Sequence, residues 1–174
     1  MVATAQSSQI WKGRMAERTY LYTEPDELAD AVRTLSYLDV LLRMKEGTLP
    51  RSTTMETFDF HVAEAERGRV VFTGTPEEYM LNPMGTLHGG WYAALLDSVL
   101  GSAVQTKLPA GTGQTTLEFK INLVRAAKVG EGPCRGVARA RHVGRSTGTA
   151  EGEILSRDGK LLAHGSTTCL ILSF

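Results

Sequence analysis

The sequence has only two cysteines, Cys134 and Cys169, far apart and each inside an apparently strand-like stretch rather than a CxxC pair or ligand cluster. That argues against a disulfide framework and leaves two reduced core thiols as the expectation. Net charge is missing too. Its 19 basic and 19 acidic residues cancel, so no overall field draws the chain to nucleic acid or to an anionic membrane. Aromatics make up only 7%, and none interleave the one basic stretch, which removes the base-stacking signal of a nucleic-acid binder. No apolar run approaches the ~20 residues of a membrane span. The opening text "MVATAQSSQIWKGRMAERTY" lacks the apolar centre of a signal peptide. A cytoplasmic location, no membrane and no nucleic acid are the expectations.

What remains is the composition of a globular domain: 174 residues, 42% hydrophobic and 22% charged, enough for one core. Residues 1 to 22 are polar and aperiodic, an extension expected to be poorly ordered unless a partner holds it. Residues 23 to 174 are expected to form one domain. It opens with "TEPDELADAVRTLSYLDVLLRMKEG", where Leu28, Val32, Leu35, Leu38 and Leu42 recur at helical spacing after Pro25, predicting one amphipathic helix over 25–46. Alternating residues on either side of Arg67-Gly68 predict a hairpin. A second, apolar helix is predicted over about 88–107. Four strand-like stretches follow, the last two separated by the turn signal Asp158-Gly159. An antiparallel sheet of this kind needs something to bury one face against, and the apolar helix is the natural object, so the class is α+β. The strand from Cys134 agrees: Gly136, Ala138 and Ala140 alternate with Arg135, Arg139 and Arg141, giving one small face and one basic face.

The stretch "LNPMGTLHGGWYAALLDSVLGSA" places a carboxylate, Asp97, inside the apolar helix. Gly90, Ala93, Ala94, Gly101 and Val104 share its helical face, and all but Val104 have little or no side chain. Such a face lets another backbone or a ligand come close; the alternative is tight packing with Asp97 in solvent. Gly89 and Gly90 stand at the helix start, where amide N–H groups lack carbonyl partners and the dipole is positive, a place to polarise a carbonyl and hold an oxyanion. Asp97 lies more than two turns further on. It would therefore act on a substrate bound to a second copy of the site across a subunit interface. Alone, His88 before a double glycine and Asn82 before proline read more readily as turn or cap residues than as catalytic ones.

Together, N-x5-H-G-G-x6-D and the following "TTLEFKINLVR" resemble the PaaI-type (phenylacetate-pathway) hotdog-fold thioesterases, over roughly Glu56 to the C-terminus. The resemblance implies an antiparallel sheet wrapped around a long central helix, here with an extra N-terminal helix, and sheets joined edge to edge in dimers with active sites at the interface, often paired into tetramers. It implies hydrolysis of an acyl-CoA thioester. Asp97 would be nucleophile or general base, the Gly89 N–H would polarise the carbonyl, and His88 and Asn82 would orient thioester and water. A hydroxyl on the next strand would position the water. Thr115 is expected there by alternation with Leu117, Phe119 and Ile121, with Thr116 as the fallback. Gly90, Thr116, Arg145 and Ser146 are the residues expected to touch the substrate or its CoA. No bound cofactor is implied, since coenzyme A is part of the substrate.

Between Lys120 and Arg145 seven basic residues face a single acid, Glu131. They read either as a solvated strand face or as a cradle for CoA phosphates, for which Arg145 in the "HVGRST" turn is the best candidate. Trp91, Tyr92 and the first helix are candidates to line an acyl pocket for an aromatic or medium-length chain, or else plain core. His61, His142 and His164 lie on separate strand-like stretches and indicate no metal site. Hotdog folds also serve hydratases, dehydratases and non-catalytic acyl-CoA binders. The Asn82, His88, Gly89, Asp97 pattern speaks against the dehydratases, and a pure binder would not need Asp97.

Overall fold

Strand β1 (Phe60–Glu66) and β2 (Arg69–Gly74) form the predicted hairpin in a computed structural model that describes residues 13–173. The helix α4 (Gly89–Gln105) follows, then β3 (Thr112–Leu123), β4 (Cys134–Val143), β5 (Thr147–Leu155) and β6 (Leu161–Ser173). All six strands join one antiparallel sheet in the order β1-β2-β4-β5-β6-β3. The α+β reading and the central helix are as expected.

The sheet curves around α4 because one face of every strand carries small or apolar residues. Leu95, Leu96, Val99, Leu100 and Ala103 are wholly buried against it. Each fully buried large side chain contributes roughly 1.5–3 kcal/mol, enough together to fix the helix in rotation and translation. On β6, Gly165 has no room for a side chain, since a Cβ would collide with the Lys120 carbonyl on β3. This rotation leaves Gly89, Gly90, Ala93, Ala94, Asp97 and Ser98 half-buried or exposed, on the face this chain's own sheet does not cover.

The single N-terminal helix predicted over 25–46 is two helices, α1 (Asp26–Thr34) and α2 (Tyr37–Glu46), followed by a short α3 (Thr53–Phe58). Leu35 turns extended at ψ 159°, and Ser36 starts α2 by accepting the Asp39 N–H at 3.2 Å. This side-chain cap satisfies one orphan N–H that a continuous helix would not have had, and the Ser36 hydroxyl in turn donates to the Asp39 carboxylate at 2.7 Å. Gly47 ends α2 in the left-handed conformation, at φ 75°. Of the expected extension, residues 1 to 12 lie outside the described residues, and residues 13 to 22 carry no helix or strand. Among the described residues no helix is long and apolar enough to cross a membrane.

Both cysteines are free and buried. Burial, with Glu131 nearby, pushes the Cys134 thiol from 9.0 to about 11. A thiol held protonated in the fold favours the native state below its unfolded pKa, and this contribution is lost as pH rises from about 9 to about 11. Accordingly, a thiol reagent at pH 8 should leave Cys134 unmodified in the native protein and modify it in denaturant; ready modification of the native protein would contradict its burial.

Candidate active site

Loop 81–88 delivers the first elements of the site. Asn82 makes an Asx turn: its Oδ1 accepts the N–H groups of Met84 (2.9 Å) and Thr86 (3.3 Å), and its Nδ2 donates to the Thr86 hydroxyl at 2.8 Å. A bridge between Leu81 and Leu87 and a bond from the His88 N–H to the Met80 carbonyl close the loop at the foot of α4. Asn82 thus holds the loop that carries His88, with most of its polar capacity spent locally.

His88 is the N-cap of α4, and its Nδ1 accepts the Gly90 N–H at 2.9 Å. That bond assigns the proton of the neutral ring to Nε2, the nitrogen left free to donate. It also corrects the expectation that both glycine amides are free. The Gly90 N–H is occupied, and the residue must be small, because a Cβ would stand 2.9 Å from the same Nδ1. The Gly89 N–H has no partner among the described residues. It is a first-turn amide at the positive end of a helix of 17 residues.

Asp97 is half-buried on the uncovered face of α4 and accepts a hydrogen bond at 2.9 Å from the hydroxyl of Thr116. Thr115, expected to face the helix, is exposed and points to the other side. The reason is a β-bulge: Thr116 pairs with Cys169 but Glu118 already pairs with Thr168, leaving Leu117 unmatched. The extra residue reverses the alternation, so the inward set is Thr116, Phe119 and Ile121, while Leu117 is 58% exposed. Cys169 lies behind Thr116. Burial pushes its thiol up, opposed by the Thr167 contact and aided by the Asp97 charge.

Arg145 and Ser146 are exposed in the turn between β4 and β5. The Ser146 carbonyl accepts the Ile171 N–H at 2.9 Å, which fixes the turn at the end of the sheet nearest Thr116. Of the other basic residues, Arg135 pairs with Glu64 at 2.7 Å and Arg141 with Glu151 at 2.6 Å, the solvated strand-face alternative for these two. Among the described residues no cluster of three or more metal-ligating side chains occurs.

A cavity of about 360 Å³ opens beside His88 at the start of α4, walled by Phe58, Tyr79, Met80, Leu81 and Trp91, with Arg18 at its rim. Trp91 does line it, as the sequence allowed. Tyr92 does not: its hydroxyl accepts the Ala127 N–H at 2.6 Å, and neither α1 nor α2 contributes a wall. The Trp91 indole N–H is buried without a partner among the described residues.

Gly89 and Asp97 are eight residues apart on one helix, about 12 Å along its axis. That is too far for both to reach one carbonyl group, since oxyanion donors and attacking groups each act at about 3 Å.

Residues 84–163 match the family model described as the thioesterase superfamily. The phenylacetic acid degradation-related protein of Ralstonia eutropha JMP134 is 30% identical, with a TM-score of 0.67, over 75% of this chain and 98% of that one. The PaaI protein from the phenylacetic acid degradation operon of E. coli shares 21% identity and a TM-score of 0.69, over 80% of this chain and 97% of that one. A thioesterase protein from Streptococcus pneumoniae TIGR4, solved with coenzyme A, shares 24% identity and a TM-score of 0.60, over 66% of this chain and 89% of that one. The last two bear on the fold alone. The chain belongs to the thioesterase superfamily: it is a PaaI-type hotdog thioester hydrolase.

Proposed function

We propose that this protein hydrolyses acyl-CoA thioesters of a small aromatic or medium-length acyl group, at sites shared between two copies of the chain. The observation that carries this reading is Asp97: a carboxylate held by Thr116 on a helix face of glycine and alanine that the described residues leave partly open. In each site the thioester carbonyl lies at the Gly89 N–H of one protomer, and Asp97 of the other attacks it directly or takes a proton from water. His88, with its free Nε2–H, orients the carbonyl or the water. Asn82 acts by holding the loop beneath it. Thr116 keeps the carboxylate aimed. A thioester carbonyl is electrophilic and its thiolate leaves readily, so a carboxylate and one backbone donor suffice without a triad or bound cofactor.

The dimer is supported by the free edge of the sheet. Strand β3 is 12 residues long and terminates the order of strands, with Leu117 (58%), Leu123 (54%) and Val124 (53%) exposed along or beside it. Exposed apolar edges are normally covered, and pairing β3 with its copy across a twofold axis covers this one. Pairing of dimers into tetramers follows the family habit. Arg145 and Ser146, exposed in the turn between β4 and β5, would receive the CoA phosphates. A cytoplasmic location is where acyl-CoA substrates and reduced thiols would be met.

The test is release of free thiol from a panel of CoA thioesters spanning phenylacetyl, hydroxybenzoyl and straight chains of increasing length. Turnover on ring-bearing or medium-length members is expected. Binding without thiol release would make the protein a non-catalytic acyl-CoA binder.

A further inference from the structure

The cavity beside His88 is built mostly by residues that precede the region matched to the family model, the most distant in sequence being Arg18, from the chain before α1. Its guanidinium donates through Nη2 to the Thr57 carbonyl at 2.7 Å and lies 4.0 Å from the ring centre of Tyr79 and 4.5 Å from that of Tyr20. Two aromatic faces and a carbonyl hold the group at one place on the rim. Only one of its five N–H donors is thereby used. Among the described residues Arg18 forms no ion pair, and no acidic residue lines the cavity. The rim therefore carries an oriented positive charge with unused donors.

The walls restrict what that charge meets. A volume of about 360 Å³ is at the lower end for ligand pockets, which suits a single ring on a short linker and not a long chain. Phe58 and Trp91 supply apolar surfaces for such a ring. A plain hydrocarbon tip would strip water from the guanidinium without replacing it. A carboxylate tip would be met by two parallel N–H groups.

We propose that Arg18 is a specificity-determining residue, which selects one-ring acyl groups carrying a carboxylate at the end remote from the thioester. The inference rests on the proposed placement of the thioester carbonyl at Gly89, beside the cavity. Arg18 lies before residues 84–163, so the region matched to the family model does not by itself set this preference.

The test uses two non-hydrolysable thioethers of coenzyme A, one ending in a phenyl ring and one in the same ring with a para-carboxylate. Their affinities are measured by calorimetry for the full-length protein, Arg18→Ala and Arg18→Lys, with melting curves to confirm that each variant is folded. The unaltered protein is expected to prefer the carboxylated ligand by about tenfold or more, and the preference should weaken with salt. Arg18→Ala should bring the ratio of affinities close to one, and Arg18→Lys should leave it between. No preference in the unaltered protein, or an equal ratio in Arg18→Ala, overturns the assignment. Thiol release from the two matching thioesters is followed separately. A protein that selects the carboxylated thioether yet hydrolyses neither thioester would overturn the catalytic reading and leave that of Arg18 standing.

Discussion

Replacing Asp97 by Asn should lower kcat for thioester hydrolysis roughly a thousandfold or more while leaving the protein folded and its substrate affinity within a few-fold. The substitution keeps shape and volume, and an amide oxygen can still accept the 2.9 Å bond from Thr116. What disappears is the negative charge that, in the proposed mechanism, either attacks the carbonyl or withdraws a proton from water. A thousandfold loss corresponds to about 4 kcal/mol of transition-state stabilisation. Because Asp97 is half-buried on a face lined by alanine and glycine, no other carboxylate on α4 can substitute for it. Single-turnover thiol release, with thermal melting as the control for folding, gives the measurement. A variant within tenfold of the unaltered enzyme would remove Asp97 from the chemistry.

The elements that hold this site were legible where burial follows one period from end to end. Alternation gave the β1–β2 hairpin and the four later strands, and the small face of β4 is buried as its Gly136 and Ala138 required. The N-terminal region reads as one helix because Leu28, Val32, Leu35, Leu38 and Leu42 keep helical phase across the break between α1 and α2. The signal that could have divided it, Ser36 followed three residues later by Asp39, is a capping pattern present in the sequence. No such signal existed for Thr116. The bulge at Leu117 arises from pairing with β6, some fifty residues away, and strand alternation has no means of anticipating an unmatched residue. The cavity was hidden for a related reason. Its walls come from four separated segments, around Arg18, Phe58, Met80 and Trp91, which only the folded chain brings together. Motif spacing picked out the candidate residues, while contacts between distant segments set their surroundings.

Gly89→Pro should reduce kcat by a further distinct route, about 10²–10³-fold, by deleting the one amide at the helix start that has no partner among the described residues. Proline suits this position. Gly89 is the first residue of α4, where a proline ring fits the helix and the lost N–H made no helical bond. His88 before it is already extended, at φ −65° and ψ 138°, as a residue preceding proline must be. The new Cβ would meet only the tip of Leu123, at 3.3 Å, which a side-chain adjustment of a few tenths of an ångström relieves. The variant should therefore fold, and its defect should appear in kcat more than in KM. Paired with Asp97→Asn, it also decides whether the site is shared. In a mixed dimer of the two inactive chains, one site combines an intact Gly89 with an intact Asp97 and the other carries both lesions. Random co-assembly should then restore about a quarter of full activity, half the dimers being mixed and each having one good site. If instead Gly89 and Asp97 of the same chain served one substrate, every site in the mixture would keep one lesion, and activity would stay at the level of the separate variants.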